Sequence, residues 1–459
     1  MLHSRVVPVV VLLIVLLAGT ALNASEQAAP DDDCAGWVSA DSNVQREFFW
    51  GLTPESVLVC VEAGADPNAR TAGERTPLHW AAEGNENSAV IATLLEAGAD
   101  PNARDEDEET PLHWAARWNE NPAVIAVLLE ASADPNARGE NESTPLHLAA
   151  EGNENSAVIA ALLEAGADPN ATDWVVSTPL HWAARGSNNP AVIAALLEAG
   201  AVPDATDEDK ETPLHWAARW NENLAVIAAL LEAGADPNSP DWKVRTPLHR
   251  AAEGNENSAV IAALLVGGAD PNATDAGERT PLHRAAFINE NPAVIATLLE
   301  AGADHNATDE DKETPLHWAA RWNENLAVIA ALLEDGADPN SPGWKVRTPL
   351  HRAAEGNENP AVIAALLEAG ADHNARDGGE RTPLHSAASW NENPAVIAAL
   401  LEAGADPNAR DGGERTPLHS AARRNENLAV IAALLEAGAD PNARDKDEET
   451  PLDIAEGRP

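Results

Sequence analysis

The chain has 459 residues, with 29 basic against 75 acidic side chains and a formal net charge of −46. That field repels nucleic-acid phosphate and disfavours an anionic membrane surface; by charge alone it suits a basic protein or a cation, or simply serves solubility. With 44% hydrophobic residues in a regular register, no Tyr and a single Met at position 1, the compositional bias points to repetition rather than disorder.

In chain order, a basic start at Arg5 precedes an apolar run from Val6 to Leu17 and a small-residue stretch from Ala18 to Ala24. This three-part layout is that of a secretory signal, with cleavage after Ala24 or Ala21; an uncleaved membrane anchor is the alternative. The expectation is a periplasmic or secreted protein with no membrane insertion beyond the N-terminal signal. Residues 25–43 read as a polar leader, and 44–75 as a degenerate N-terminal unit with a helix over Glu55–Ala63. The two cysteines, Cys34 and Cys60, both precede the first full unit. In an oxidising compartment such a pair reads as a disulfide, against the alternative of two unrelated thiols.

From Thr76 the tetrapeptide Thr-Pro-Leu-His recurs every 34 residues, giving eleven full units over 76–449, and Thr450–Pro459 adds a last helix start. A repeat of this period means a solenoid. In the unit at Thr110, Thr110 caps a first helix, Pro111 takes its first position, and Leu112, Ala115 and Ala116 give a small apolar face. Asn119-Glu120-Asn121 makes the turn, and Asn121 caps a second helix whose Val124, Ile125, Leu128 and Leu129 form an apolar stripe. A Gly such as Gly98 ends the second helix where a left-handed residue is needed; Ser132 replaces it here and is expected to fit less comfortably. Helix pairs of this size bury their stripes only by stacking.

The string TPLHWAA…AVIAALLEAGADPNA resembles the ankyrin repeat, over residues 44–459. The resemblance implies an all-α solenoid of stacked helix-turn-helix units with β-hairpin loops on one side, and a role in protein–protein recognition. It also implies that the repeated His ties adjacent loops by hydrogen bonds. The unit is one residue longer than the family's usual 33, in the turn between helices, and Pro follows Gly-Ala-Asp in most units, with His305 and His373 in two. Phe48–Asn68 and residues 450–459 look like capping units. Units at Thr212 and Thr314 differ only at Ala233/Asp335 and Asp241/Gly343, the mark of a duplicated block.

Catalysis needs an asymmetric set of residues converging on one cleft, which an array does not offer, so no enzyme, cofactor or metal site is expected. His305 and His373 stand two units apart without a matching ligand. The acidic tips Asp105–Glu109, Asp207–Asp209, Asp309–Asp311 and Asp445–Glu449 lack the spacing and turn Gly of a calcium loop. Sequence variation within the unit falls after the His, after Ala-Ala, and at the loop tip, positions that the resemblance places on a groove and its rim. Twelve of the fourteen tryptophans lie there. The partner-binding candidates are Trp118, Trp220, Trp322 and Trp390 with Arg117, Arg219, Arg321, Arg423 and Arg424, and at the tips Trp174, Trp242 and Trp344. Trp and Arg are frequent interface anchors, whereas Trp80, Trp114, Trp182, Trp216 and Trp318, directly after His, read more readily as packing between helices. The expected function is a monomeric scaffold binding a protein, with basic patches as the charge-matched feature of that partner. The alternative is an acidic cation-binding or surface structural protein without a groove partner.

Overall fold

The computed structural model describes residues 34–39 and 41–457; the expected signal lies outside the described residues. Within them run twenty-five α-helices. In the unit from Thr110 the first helix, α5, is Pro111–Trp118 and the second, α6, is Pro122–Glu130. First helices pack on first helices and second on second along the whole array. Leu112, Ala115, Ala116, Val124, Ile125 and Leu128 are wholly buried, and Leu129 packs half-buried against them. The two alanines let consecutive first helices approach closely while the branched residues fill the layer between the second helices. One apolar core runs from Trp37 to Ala439.

Thr110 and His113 form a reciprocal capping box. The Thr110 N–H donates to His113 Nδ1 at 3.0 Å. His113 Nε2–H then donates to the Ser143 carbonyl of the next unit at 3.2 Å. The same pairing recurs from His79 to His419. One ring nitrogen accepts and the other donates, which fixes a neutral Nε2–H imidazole. A second ladder runs through the turns: Asn119 Nδ2–H donates to the carbonyls of Ala82 and Asn85, both at 3.1 Å. Its Oδ1 accepts from the Asn121 N–H at 3.0 Å, and Asn121 in turn caps α6 through the Ala123 N–H. A third ladder joins the loops, as Asn102 Nδ2–H donates to the Ser132 carbonyl at 3.0 Å and its Oδ1 accepts from the Asp134 N–H at 2.8 Å. The buried His113 and Asn119 side chains thus find partners in neighbouring units.

The projecting loops are tight turns, and no strand is present among the described residues. Each loop is closed on itself, Asp105 N–H donating to the Glu109 carbonyl at 3.0 Å, and most are joined to the previous loop by one backbone bond, Glu106 N–H to the Gly73 carbonyl at 3.0 Å. Gly98 lies at φ +95° and Ser132 at φ +70°, both in the left-handed region.

At the N-terminal end the structure joins Cys34 to Cys60 in a disulfide. Residues 34–38 belong to the cap rather than to a leader: Trp37 is buried, meets Phe49 at a ring-centroid distance of 5.5 Å, and donates its indole N–H to the Asp66 carbonyl at 2.9 Å. The helices of this first unit are α1, Ser42–Trp50, and α2, Pro54–Glu62. The far end is closed by α25, Pro451–Glu456, where Thr450 and Asp453 repeat the capping box with a carboxylate in place of the imidazole.

Candidate functional site: the first-helix rim and the loop tips

The residue after each His decides how the loops sit over the first helices. Trp114 donates its indole N–H to Asp105 Oδ2 at 2.9 Å, nine residues earlier in the preceding loop. Trp182 with Asp173, Trp216 with Asp207, and Trp318 with Asp309 do the same. Where Arg replaces Trp the guanidinium takes over, as Arg284 with Asp275 and Arg250 with Asp241 show. The other oxygen of these aspartates closes the loop: Asp105 Oδ1 accepts from the N–H groups of Asp107 and Glu109. The first Asp of a tip is therefore occupied internally. Among the described residues no group of three or more His, Cys, Asp or Glu is placed to hold a metal ion.

This clamp draws the loops of these six units towards the first-helix layer, so helix ends and loop tips share one surface. Trp80 after His79 is fully buried and Trp114, Trp182, Trp216 and Trp318 are half-buried. The tryptophans one turn further on stay out: Trp118 is 56% exposed, Trp220 45%, Trp322 52% and Trp390 51%. Trp216 and Trp220 meet edge to face at 5.6 Å, consistent with a shared helix face. In the unit from Thr280, Ile288 takes the position of these tryptophans and is 54% exposed, while Phe287, at the position of Arg117, packs against Trp318 at 5.3 Å.

Arginines alternate with these rings. Arg117 lies 5.1 Å from the Trp118 ring centroid, Arg219 4.9 Å from Trp220, Arg321 4.6 Å from Trp322, and Arg424 4.4 Å from Trp390. Arg117 and Arg321 also reach Glu151 and Glu355, each at 3.9 Å. Arg423 is exposed beside a cleft that includes Arg415, Asp445 and Asp453. Deeper in, Arg250 pairs with Glu211 and Asp241, and Arg352 with Glu313 and Glu355. Gly343 stands where the earlier copy has Asp241, and Arg347 turns to Asp377 in the next unit at 3.4 Å instead.

At the tips Trp174 is 67% exposed, Trp242 54% and Trp344 45%. Lys243 and Lys345 lie over their neighbouring Trp242 and Trp344 rings at 4.5 and 4.1 Å. His305 does have a partner, Asp335, whose Oδ2 lies 2.9 Å from its Nδ1 in the following unit. Asp335 is one of the two positions at which the duplicated units differ.

Burial sets the protonation of the array. It lowers ten of the repeated histidines, from His79 to His385, with His113 and His249 brought to about 4 and His181 to about 3. It raises Glu109 to about 7, with Asp105 adding to the effect, and Asp207 to about 6 against the pull of the Trp216 hydrogen bond.

The constant spacing of nine between loop Asp and the residue after His was the sequence signal for the clamp, and sequence reasoning passed over it. Trp37 carried no periodic signal, since it precedes the first unit.

Stacked helix pairs linked by backbone-directed ladders, with variable side chains on one rim, define a helical-repeat protein. The family model described as ankyrin repeats (3 copies) matches residues 51–139, 78–173, 146–241, 248–343 and 341–411, and that described as ankyrin repeats (many copies) matches 400–455. The chain belongs to the ankyrin repeat family, whose repeats are general protein–protein interaction modules and whose members are typically non-enzymatic scaffolds. A comparison with curated proteins gave no match. Among the described residues no helix is long and apolar enough to cross a membrane.

Proposed function

We propose that this protein is an exported, non-enzymatic scaffold that captures a protein partner along the first-helix rim and the loop tips. The observation that carries the reading is the row of half-exposed indoles at Trp118, Trp220, Trp322 and Trp390, each beside an arginine. Large aromatic surface left in water at repeated positions does nothing for the core, and Trp and Arg are the side chains whose removal most often costs an interface its affinity. Export rests on the N-terminal signal layout together with a cysteine pair suited to an oxidising compartment. The acidic field outside the rim favours a partner with basic patches and speeds its approach.

The test is affinity capture from the exported fraction with the full chain, with partners identified by mass spectrometry. It is run in parallel with a Trp118→Ala/Trp220→Ala/Trp322→Ala variant of unchanged melting temperature. The reading expects a specific partner that the variant loses. Equal capture by both chains overturns the rim assignment.

A further inference from the structure

Three loops depart from the rest. At the position where the described tips from Glu74 to Glu448 otherwise hold Glu or Lys in the left-handed region, these three hold valine: Val176 at φ +65°, Val244 at φ +61° and Val346 at φ +62°. A β-branched residue is strained there, because its Cβ substituents crowd the backbone. Burial does not compensate, since the three valines are 45%, 48% and 53% exposed. Each sits two residues after an exposed tip tryptophan, Trp174, Trp242 or Trp344. Strain and exposed apolar surface therefore coincide at all three tips, and a requirement of folding alone would have kept Glu or Lys.

Each such tip lies against an acidic one. Trp174 N–H donates to the Asn141 carbonyl at 3.1 Å, between exposed Glu140 and Glu142, the latter paired with Arg138 at 3.1 Å. Trp242 N–H donates to the Asp209 carbonyl at 3.0 Å, beside exposed Glu208. At the third tip a cleft of about 490 Å³ is lined by Glu310, Asp311 and Lys312 on one side and Gly343, Trp344 and Val346 on the other. Lys243 and Lys345, already over their rings, show that the indole faces accept an ammonium group.

We infer that the paired tips are three copies of one docking site for an extended peptide segment that alternates aliphatic with lysine or arginine side chains. The aliphatic groups rest on Trp and Val, and the cations face the carboxylates of the neighbouring tip. The sites stand two and three units apart, at Trp174, Trp242 and Trp344, so a partner carrying the segment repeatedly engages them together. The inference rests on reading the tips as a recognition surface and is independent of the first-helix rim.

The test is calorimetric titration of the full chain with an octapeptide of alternating leucine and lysine, with octalysine and alternating leucine–glutamate octapeptides alongside. The expected result is a stoichiometry near three, at least tenfold weaker binding of octalysine, and none of the glutamate peptide. The Val176→Glu/Val244→Glu/Val346→Glu variant installs the residue that other tips already carry, so its fold is preserved. It should weaken the leucine–lysine peptide at least tenfold while strengthening octalysine, because it adds three negative charges. Trp118→Ala/Trp220→Ala/Trp322→Ala should leave peptide affinity within twofold, which separates this inference from the rim reading. Equal affinity for octalysine and the alternating peptide, or a valine variant that binds the alternating peptide like the parent, overturns it.

Discussion

Asn221 donates its side-chain N–H to the Ser187 carbonyl at 2.9 Å, continuing the turn ladder, but Ser187 itself sends its hydroxyl to Asn189, accepting the Asn189 N–H at 3.2 Å. Ser187 stands where the neighbouring units have Asn153 and Asn221. An asparagine there would reach the Ala150 and Asn153 carbonyls, by the same offsets at which Asn221 reaches Ala184 and Ser187. Two added buried hydrogen bonds give an expected gain of about 1–2 kcal/mol for Ser187→Asn in urea unfolding. Asn119→Ala should lose at least as much, because it strands two buried carbonyls. A null result for both would remove the turn ladder from the list of stabilising features.

Ser132 ends α6 at φ +70°, where Gly ends the other second helices. Glycine adopts that conformation without the Cβ clash, and the Asn102 bond to the residue 132 carbonyl involves backbone only. Ser132→Gly is expected to stabilise by about 1 kcal/mol, read as slowed hydrogen exchange in the unit at Thr110.

Ten of the repeated histidines have pKa values depressed by burial, from His79 through His385. Such a group binds its proton more readily unfolded than folded, so its stabilising effect is complete above about 6.5 and is lost as pH falls, towards about 4 for His79, His113, His249, His283 and His317. A histidine shifted that far represents on the order of 3 kcal/mol. Glu109 and Asp207, raised to about 7 and about 6, act oppositely and cost stability as pH rises through those values. The histidines outnumber them, so thermal melts should show a steep loss of stability between pH 6.5 and 4. A melting temperature flat across that window would contradict the neutral-imidazole ladder.

Reduction should act locally. The Cys34–Cys60 link spans 26 residues, worth about 3 kcal/mol by loop-closure entropy, and its effect is confined to a cap that contacts only the next unit. With reductant, amide exchange should quicken over α1 and α2 and stay unchanged beyond α6, the second helix of the unit from Thr110. Uniform quickening along the chain would mean that the array unfolds as one body.

The helix pairs were legible because their signals are local: Thr-Pro at each start, Asn at the second cap, and apolar residues four apart. The half-exposed tryptophans followed from the same register, since Trp118 and Trp322 fall one turn past residues that must face the core. The tie from each repeated His to the next loop was expected from the resemblance and is present. What sequence reading lost were the other links between units: Asn119 reaches carbonyls 34 and 37 residues away, and the Asp105–Trp114 clamp depends on a loop bending over a helix. Trp37 was assigned to a polar leader because a single buried aromatic outside the periodic region has no pattern to betray it. The projecting loops were expected to be β-hairpins; they close with too few backbone bonds to form strands.

The histidine and turn-asparagine ladders both end on main-chain carbonyls, which every unit offers whatever its side chains. As far as these two ladders go, any unit can therefore follow any other. Recombination between the near-identical segments starting at Thr212 and Thr314 would delete or insert 102 residues and leave each junction fully bonded. The array can lengthen or shorten over evolutionary time by whole modules, changing how many tips it displays without redesigning its interior.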